Sequence, residues 1–172
     1  MVAVLRRDRM PVRAVTIRDG NSLDAFDIFQ LWQELMAVHS RVDPRFALSD
    51  DSDQAFMSYF EGAVSRDDYL VRVAEESDGT VVGFTVACIL PNSAVYRTRW
   101  IGYVNDLCVT ESRRGQGIGR LLAVDAFRWL KQNGAESIEV YVARKNDSAQ
   151  RFWRHIGGRD YLDRLSIEVP DE

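Results

Sequence analysis

The sequence has no apolar run approaching the ~18 residues of a membrane-spanning helix, so no such span is expected. Cysteine is almost missing. Cys88 and Cys108 stand singly among apolar residues, which excludes a disulfide scaffold and a CxxC-type metal or redox motif. Both read as reduced core residues of a cytoplasmic protein. Histidine is as scarce. His39 and His155 have no companions at metal-ligand or catalytic spacing, so no metal is expected and each reads as an ordinary helix residue. The zinc-hydrolase, GxSxG and EF-hand patterns are missing as well. Lysine is confined to Lys131 and Lys145; arginine supplies every other cationic side chain and is spread along the chain. With a net charge of −4, that distribution does not predict a nucleic-acid partner.

What is present is an ordinary globular balance. With 46% of residues hydrophobic and 28% charged, 172 residues can bury a real core and fit one domain. At the start, Val2 to Leu5 is followed by Arg6, Arg7 and Arg9, whereas a secretory leader places charge before a longer apolar stretch. Residues 1–10 are therefore expected to be a disordered extension, and 11–172 a single domain that begins near Pro11.

Val12, Ala14 and Ile17 fall in a short run readable as a first strand. Asn21 or Ser22 can cap a helix through about Ser40, in which Phe26, Phe29, Leu31, Trp32, Leu35 and Met36 recur at near-helical spacing. Asp43-Pro44 breaks it, and a second helix is predicted over 52–65. Alternation over 69–74, turn residues at 77–80 and a return run over 81–90 predict a hairpin. A third strand covers 101–109. Ile118, Leu121, Leu122, Ala126, Trp129 and Leu130 then give a helix with one buried face, stopped by Asn133-Gly134. Ile138, Val140 and Val142 alternate as a strand. Asp147 or Ser148 can cap a short helix that ends at Gly157-Gly158, and a last strand is predicted from about Tyr161 to Val169. The order is β-α-α-β-β-β-α-β-α-β, mixed α/β around one sheet.

Most information lies between the third strand and the helix after it. Arg113-Arg114-Gly115-Gln116-Gly117-Ile118-Gly119 places three glycines in five residues at a strand-to-helix junction. A helix N-terminus offers unpaired N–H groups and partial positive charge, which suits a phosphate if the backbone can approach closely. Glycines remove the β-carbons in the way, and Arg114 and Arg120 add charge. A plain surface turn would carry the same glycines. No lysine follows, as a P-loop requires, and GxGxG is not the GxGxxG of dinucleotide folds.

Val109 to Arg120, VTESRRGQGIGR, resembles the coenzyme A motif of the GNAT-type N-acetyltransferase superfamily, [RQ]-x-x-G-x-[GA], filled here by Arg114, Gly117 and Gly119. Asp106 to Val109 resembles the strand that contacts the cofactor there. Asn146, Ala149, Phe152 and Gly157 resemble a second segment, N-x-x-A-x-x-[FY]-[YF]-x-x-x-G, with Trp153 departing from it. The likeness runs from about Val71 to Gly158. It implies a mixed, mostly antiparallel sheet of about six or seven strands, splayed at a cofactor wedge and flanked by about four helices. It further implies transfer of the acetyl group of acetyl-CoA to an amine of a small molecule, peptide or protein, and a homodimer. By the same resemblance Leu107 and Val109 supply backbone contacts to pantetheine. Arg114, Gly115, Gln116, Gly117, Ile118, Gly119 and Arg120 hold the pyrophosphate. Asn146 touches the pantetheine or, alternatively, caps the following helix.

An alkyl amine of pKa near ~10.4 is neutral in only about one part in ~10³ at pH 7, a handicap of roughly 4–5 kcal/mol, so proton removal is the task of such a site. The family often places a carboxylate on the strand before the glycine turn. Asn105 and Asp106 stand there, which makes Asp106 the candidate base, or else a structural residue bonded to a neighbouring loop. The tyrosine that commonly protonates the leaving thiolate aligns with Phe152 or Trp153, neither of which can donate a proton. That leaves Tyr141, water or an unassisted thiolate. A weakly catalytic acyl-CoA sensor is the other reading of this departure. The N-terminal helices, with Trp32, His39 and Phe46, are expected to face the acceptor.

Overall fold

The structure is a computed structural model that describes residues 14–167. The extension expected over residues 1–10 and Val12 of the expected first strand lie outside them. The chain divides into two compact units, Met1–Tyr141 and Val142–Glu172.

In the larger unit β1 (Val15–Asp19) leads into a reciprocal cap. The Asn21 side chain accepts from the Leu23 N–H at 2.9 Å, and the Asp24 carboxylate accepts from the Asn21 N–H at 2.9 Å. Arg18 of β1 donates to both oxygens of Asp24, at 2.9 and 2.8 Å, and its guanidinium holds that buried carboxyl below the usual carboxylate range. A short 3-10 turn, Ser22–Asp24, then opens α1 (Ala25–Val42). Asp43 ends it by capping a second 3-10 turn, Pro44–Phe46, before α2 (Ser52–Val64). α1 buries Ile28, Leu31 and Trp32, and α2 buries Phe56, Phe60 and Ala63, each set at helical spacing. Trp32 stacks on Phe56 with ring centroids 4.3 Å apart. It is a core residue, not an acceptor contact as expected, because its indole closes the gap between the two helices.

The sheet continues through β2 (Tyr69–Glu76), β3 (Val81–Pro91), β4 (Trp100–Val109) and, after α3 (Ile118–Gln132), β5 (Ser137–Glu139). The strand order is β1-β2-β3-β4-β5; the first four pair antiparallel, and β5 is parallel to β4. Val71, Val73, Phe84, Val86 and Cys108 cluster with α1 and α2, whereas Ala74, Val82 and Val109 cluster with Ile118 and Leu122 of α3. Cys88 and Cys108 are free and buried. No helix among the described residues is long and apolar enough to cross a membrane.

The smaller unit contains α4 (Asp147–His155). Asn146, rather than Asp147 or Ser148, is its cap, accepting from the Ala149 N–H at 3.1 Å. The rings of Phe152 and Trp153 meet edge to face at 5.0 Å. The Gly158 N–H closes the helix end on the Trp153 carbonyl at 2.8 Å.

Two strand expectations need correction. The strand read over 138–142 is paired only over Ser137–Glu139, and residues 161–167 form no strand, so five strands are present among the described residues instead of six or seven. Alternation tells which side chains would share a face, but a strand also needs a ladder partner, and the pattern does not supply one.

Candidate active site

β5 meets β4 only at Ile101, Gly102 and Tyr103. From Val104 to Val109 the outer edge of β4 carries no strand, so the sheet is splayed there. The Thr110 N–H bonds the Val82 carbonyl at 2.9 Å. Antiparallel pairing alternates by two, which turns the backbone groups of Cys108 and Asp106 toward β3 and those of Leu107 and Val109 toward the open edge. The Val109 carbonyl is taken by Arg114 Nε at 2.8 Å, while the Leu107 groups are left for a ligand strand or pantetheine-like amides.

The glycine turn follows a 3-10 turn, Glu111–Arg113. Gly115 and Gly117 have φ of +75° and +86°, a region in which a β-carbon is strained, and neither has an atom within 4 Å of where a β-carbon would stand. Space and curvature are thus both present. Among the described residues the N–H groups of 115 to 120 donate to no backbone carbonyl; the first bond of α3 runs from Leu121 N–H to the Gly117 carbonyl, at 3.1 Å. Those donors lie at the positive, N-terminal end of a 15-residue helix. The residues expected at a pyrophosphate, Arg114 to Arg120, are therefore brought to one place. Arg113 is not free to join them: its guanidinium pairs with Glu76, whose side chain is only 2% exposed.

Asp106 lies on the α1/α2 side of the sheet, since it pairs with Val86 of that core cluster. Its carboxyl is pushed up to about 6 by desolvation, with no ion pair or hydrogen bond to offset the burial among the described residues. The register of β4 slips at this point: Val86 faces Asp106, but its neighbour Ala87 faces Val104. Asn105 is thus an extra residue in a β-bulge. The bulge lets Asn105 lie against Cys88, on the same face as Tyr103 and Asp106. Asn105 Oδ1 and the Tyr59 hydroxyl are buried without a hydrogen-bond partner among the described residues. The Asp106 charge acts on Tyr59 and Tyr103, and burial raises both phenols, Tyr103 to about 12. Tyr141 follows β5 and sets its ring 5.2 Å from Tyr103. Asp106 and Tyr141, the two expected catalytic residues, thus border one polar patch that also includes Tyr59, Tyr103 and Asn105.

Tyr59 and Tyr103 were not legible as site residues. Tyr59 falls within the helix expected over 52–65 with no pattern to single it out, and no local pattern announces a bulge. Asn146 belongs to the second unit, where its side chain serves as the cap of α4. Among the described residues no group of three or more His, Cys, Asp and Glu side chains could hold a metal.

Residues 29–157 match the model of the Acetyltransferase (GNAT) family. A protein of Archaeoglobus fulgidus described as an uncharacterized N-acetyltransferase is 35% identical over 96 residues, which are 56% of this chain and 64% of that protein. Mycothiol acetyltransferase of Thermomonospora curvata is 26% identical over 171 residues, 93% of this chain and 51% of the relative. The chain spans about half to just under two thirds of the length of these relatives. Among solved structures, a mutant protein from Bacillus halodurans is similar with a TM-score of 0.81 and 25% identity, covering 90% of this chain and 99% of that one.

Proposed function

Because this chain belongs to the Acetyltransferase (GNAT) family, we propose that it is an N-acetyltransferase that moves the acetyl group of acetyl-CoA to a primary amine of a small molecule, peptide or protein. The observation that carries this reading is the run of N–H groups, 115 to 120, without backbone acceptors beside the open edge of β4. A pyrophosphate supplies the acceptors these groups lack, and the Leu107 backbone offers pantetheine a strand-like partner. Arg114 and Arg120 add cationic charge. Acetyl-CoA brings the activated thioester; the chain's own residues bind, orient and move the proton.

Asp106 is the proton acceptor in this reading. A carboxyl near 6 is mostly ionised at neutral pH yet basic enough to draw a proton from an ammonium, directly or through water. Asn105 Oδ1 and the Tyr59 hydroxyl beside it lack partners, and an acceptor rich in N–H groups provides donors for them. Tyr141 is the candidate proton source for the leaving thiolate, with water as the alternative.

Trp153, standing where the family motif has a tyrosine, favours a second reading as a weakly catalytic acyl-CoA sensor. A thiol-release assay with acetyl-CoA over polyamines, aminoglycosides, amino acids and peptides separates the two. Acceptor-dependent thiol release supports the enzyme; binding of acetyl-CoA without release across the panel supports the sensor.

A further inference from the structure

Glu34 lies on α1, in the segment assigned by position to the acceptor, yet its carboxylate bonds and pairs with residues at the start of the glycine turn. Its Oε1 accepts from Thr110 Oγ1 at 2.8 Å, and its Oε2 accepts from the Glu111 N–H at 3.1 Å. The same Oε2 stands 3.6 Å from Arg114 Nη2. Arg114 in turn donates through Nε to the Val109 carbonyl at 2.8 Å. One carboxylate therefore ties the residue after β4, the 3-10 turn and the arginine of the coenzyme motif to a helix more than 70 residues earlier in the chain.

We propose that Glu34 is a positioning residue for the coenzyme: it fixes the turn at Thr110-Glu111 and aims Arg114, so that the N–H groups of residues 115 to 120 converge on one pyrophosphate. The inference rests on the reading of that turn as the coenzyme site. The division of labour between the arginines follows from the same contacts. Arg113 is committed to buried Glu76, whereas Arg114 is anchored through Nε to the Val109 carbonyl and meets only a half-exposed carboxylate through Nη2, which leaves that end of its guanidinium able to meet a phosphate.

Electrostatics alone predicts the opposite effect. A carboxylate beside a phosphate site repels the ligand, so removing its charge should tighten binding. The hydrogen bonds decide otherwise if geometry matters more, because donors must be aimed before the ligand arrives. Glu34→Gln separates the two. Its amide oxygen can accept from the Glu111 N–H while its NH₂ donates to Thr110 Oγ1, so the bonds persist and the charge is lost.

The experiment is calorimetric titration of the full chain with coenzyme A, with steady-state KM for acetyl-CoA once an acceptor is found. Glu34→Ala should weaken coenzyme A about tenfold and raise the KM of acetyl-CoA, leaving the acceptor KM in place. Glu34→Gln should stay within about threefold of wild type. Thr110→Val, which keeps the carboxylate and loses one bond, should weaken coenzyme A in the same direction and gives a second route if Glu34→Ala does not fold. Unchanged or tighter binding in folded Glu34→Ala or Thr110→Val overturns the proposal, as does equal weakening in Glu34→Gln and Glu34→Ala. Failure of the wild type itself to bind coenzyme A is a different result: it overturns the reading of the turn as the coenzyme site, and the role of Glu34 falls with it.

Discussion

In the proposed site, Asp106 carries a carboxyl that burial makes harder to ionise. Its folded value near 6 lies above the ordinary 3.8, so the folded state holds the proton more tightly than the unfolded chain does. The stability associated with the protonated form is fully present below pH ~4 and is lost as pH rises through about 6. Asp106→Asn should therefore stabilise the protein by about 1–3 kcal/mol at pH 7.5 and by almost nothing at pH 4, readable from denaturant midpoints at the two pH values. The same substitution should lower kcat by ~10²–10⁴-fold, with coenzyme A affinity nearly unchanged. The acidic limb of the kcat/KM profile should fall near pH 6 in the wild type and vanish in the variant. Full turnover in Asp106→Asn would leave Asp106 with a structural role.

At the scale of elements, the proposed site lies where two strands part. β4 and β5 run together for three residue pairs and then separate, and α3 begins after the 3-10 turn and the glycines that follow β4. The sequence made the second half of this legible, since three glycines stand between an apolar strand and a periodic helix. The expected boundaries of α1, α2, β3, β4 and α3 agree with the structure to within a few residues. The splay was implied only by resemblance, and the bulge at Asn105 had no local signature, because a strand with buried residues on both faces offers no clean alternation for an extra residue to interrupt. That bulge is what brings Asn105 and Asp106 onto one face. Deleting Asn105 should restore regular pairing, with Asp106 still opposite Val86 and Val104 opposite Ala87, and remove the Asn105 amide from the patch, visible as loss of turnover at a Tm close to that of the wild type.

For the molecule as a whole, the helices before the first hairpin do not divide cleanly from the coenzyme half. Glu34 reaches the glycine turn and Trp32 fills the core, while the rings of His39 and Phe46 meet at a tilt, 5.3 Å apart, near the end of α1. Phe46 is 41% exposed and is the aromatic of this group most able to meet an acceptor. Phe46→Ala should raise the acceptor KM severalfold and leave coenzyme A affinity unchanged; loss of coenzyme affinity instead would move this end of α1 to the other half of the site. What makes the two halves one enzyme is the claim that the turn at 115–120 holds the coenzyme. The most direct test is calorimetric titration of coenzyme A into the wild type and into Gly117→Val, with far-UV circular dichroism to confirm that the variant is folded. At φ +86° a β-branched side chain both strains the turn and stands in the approach to its N–H groups. The account predicts binding by the wild type and none detectable in the folded variant; equal affinity in both would contradict it.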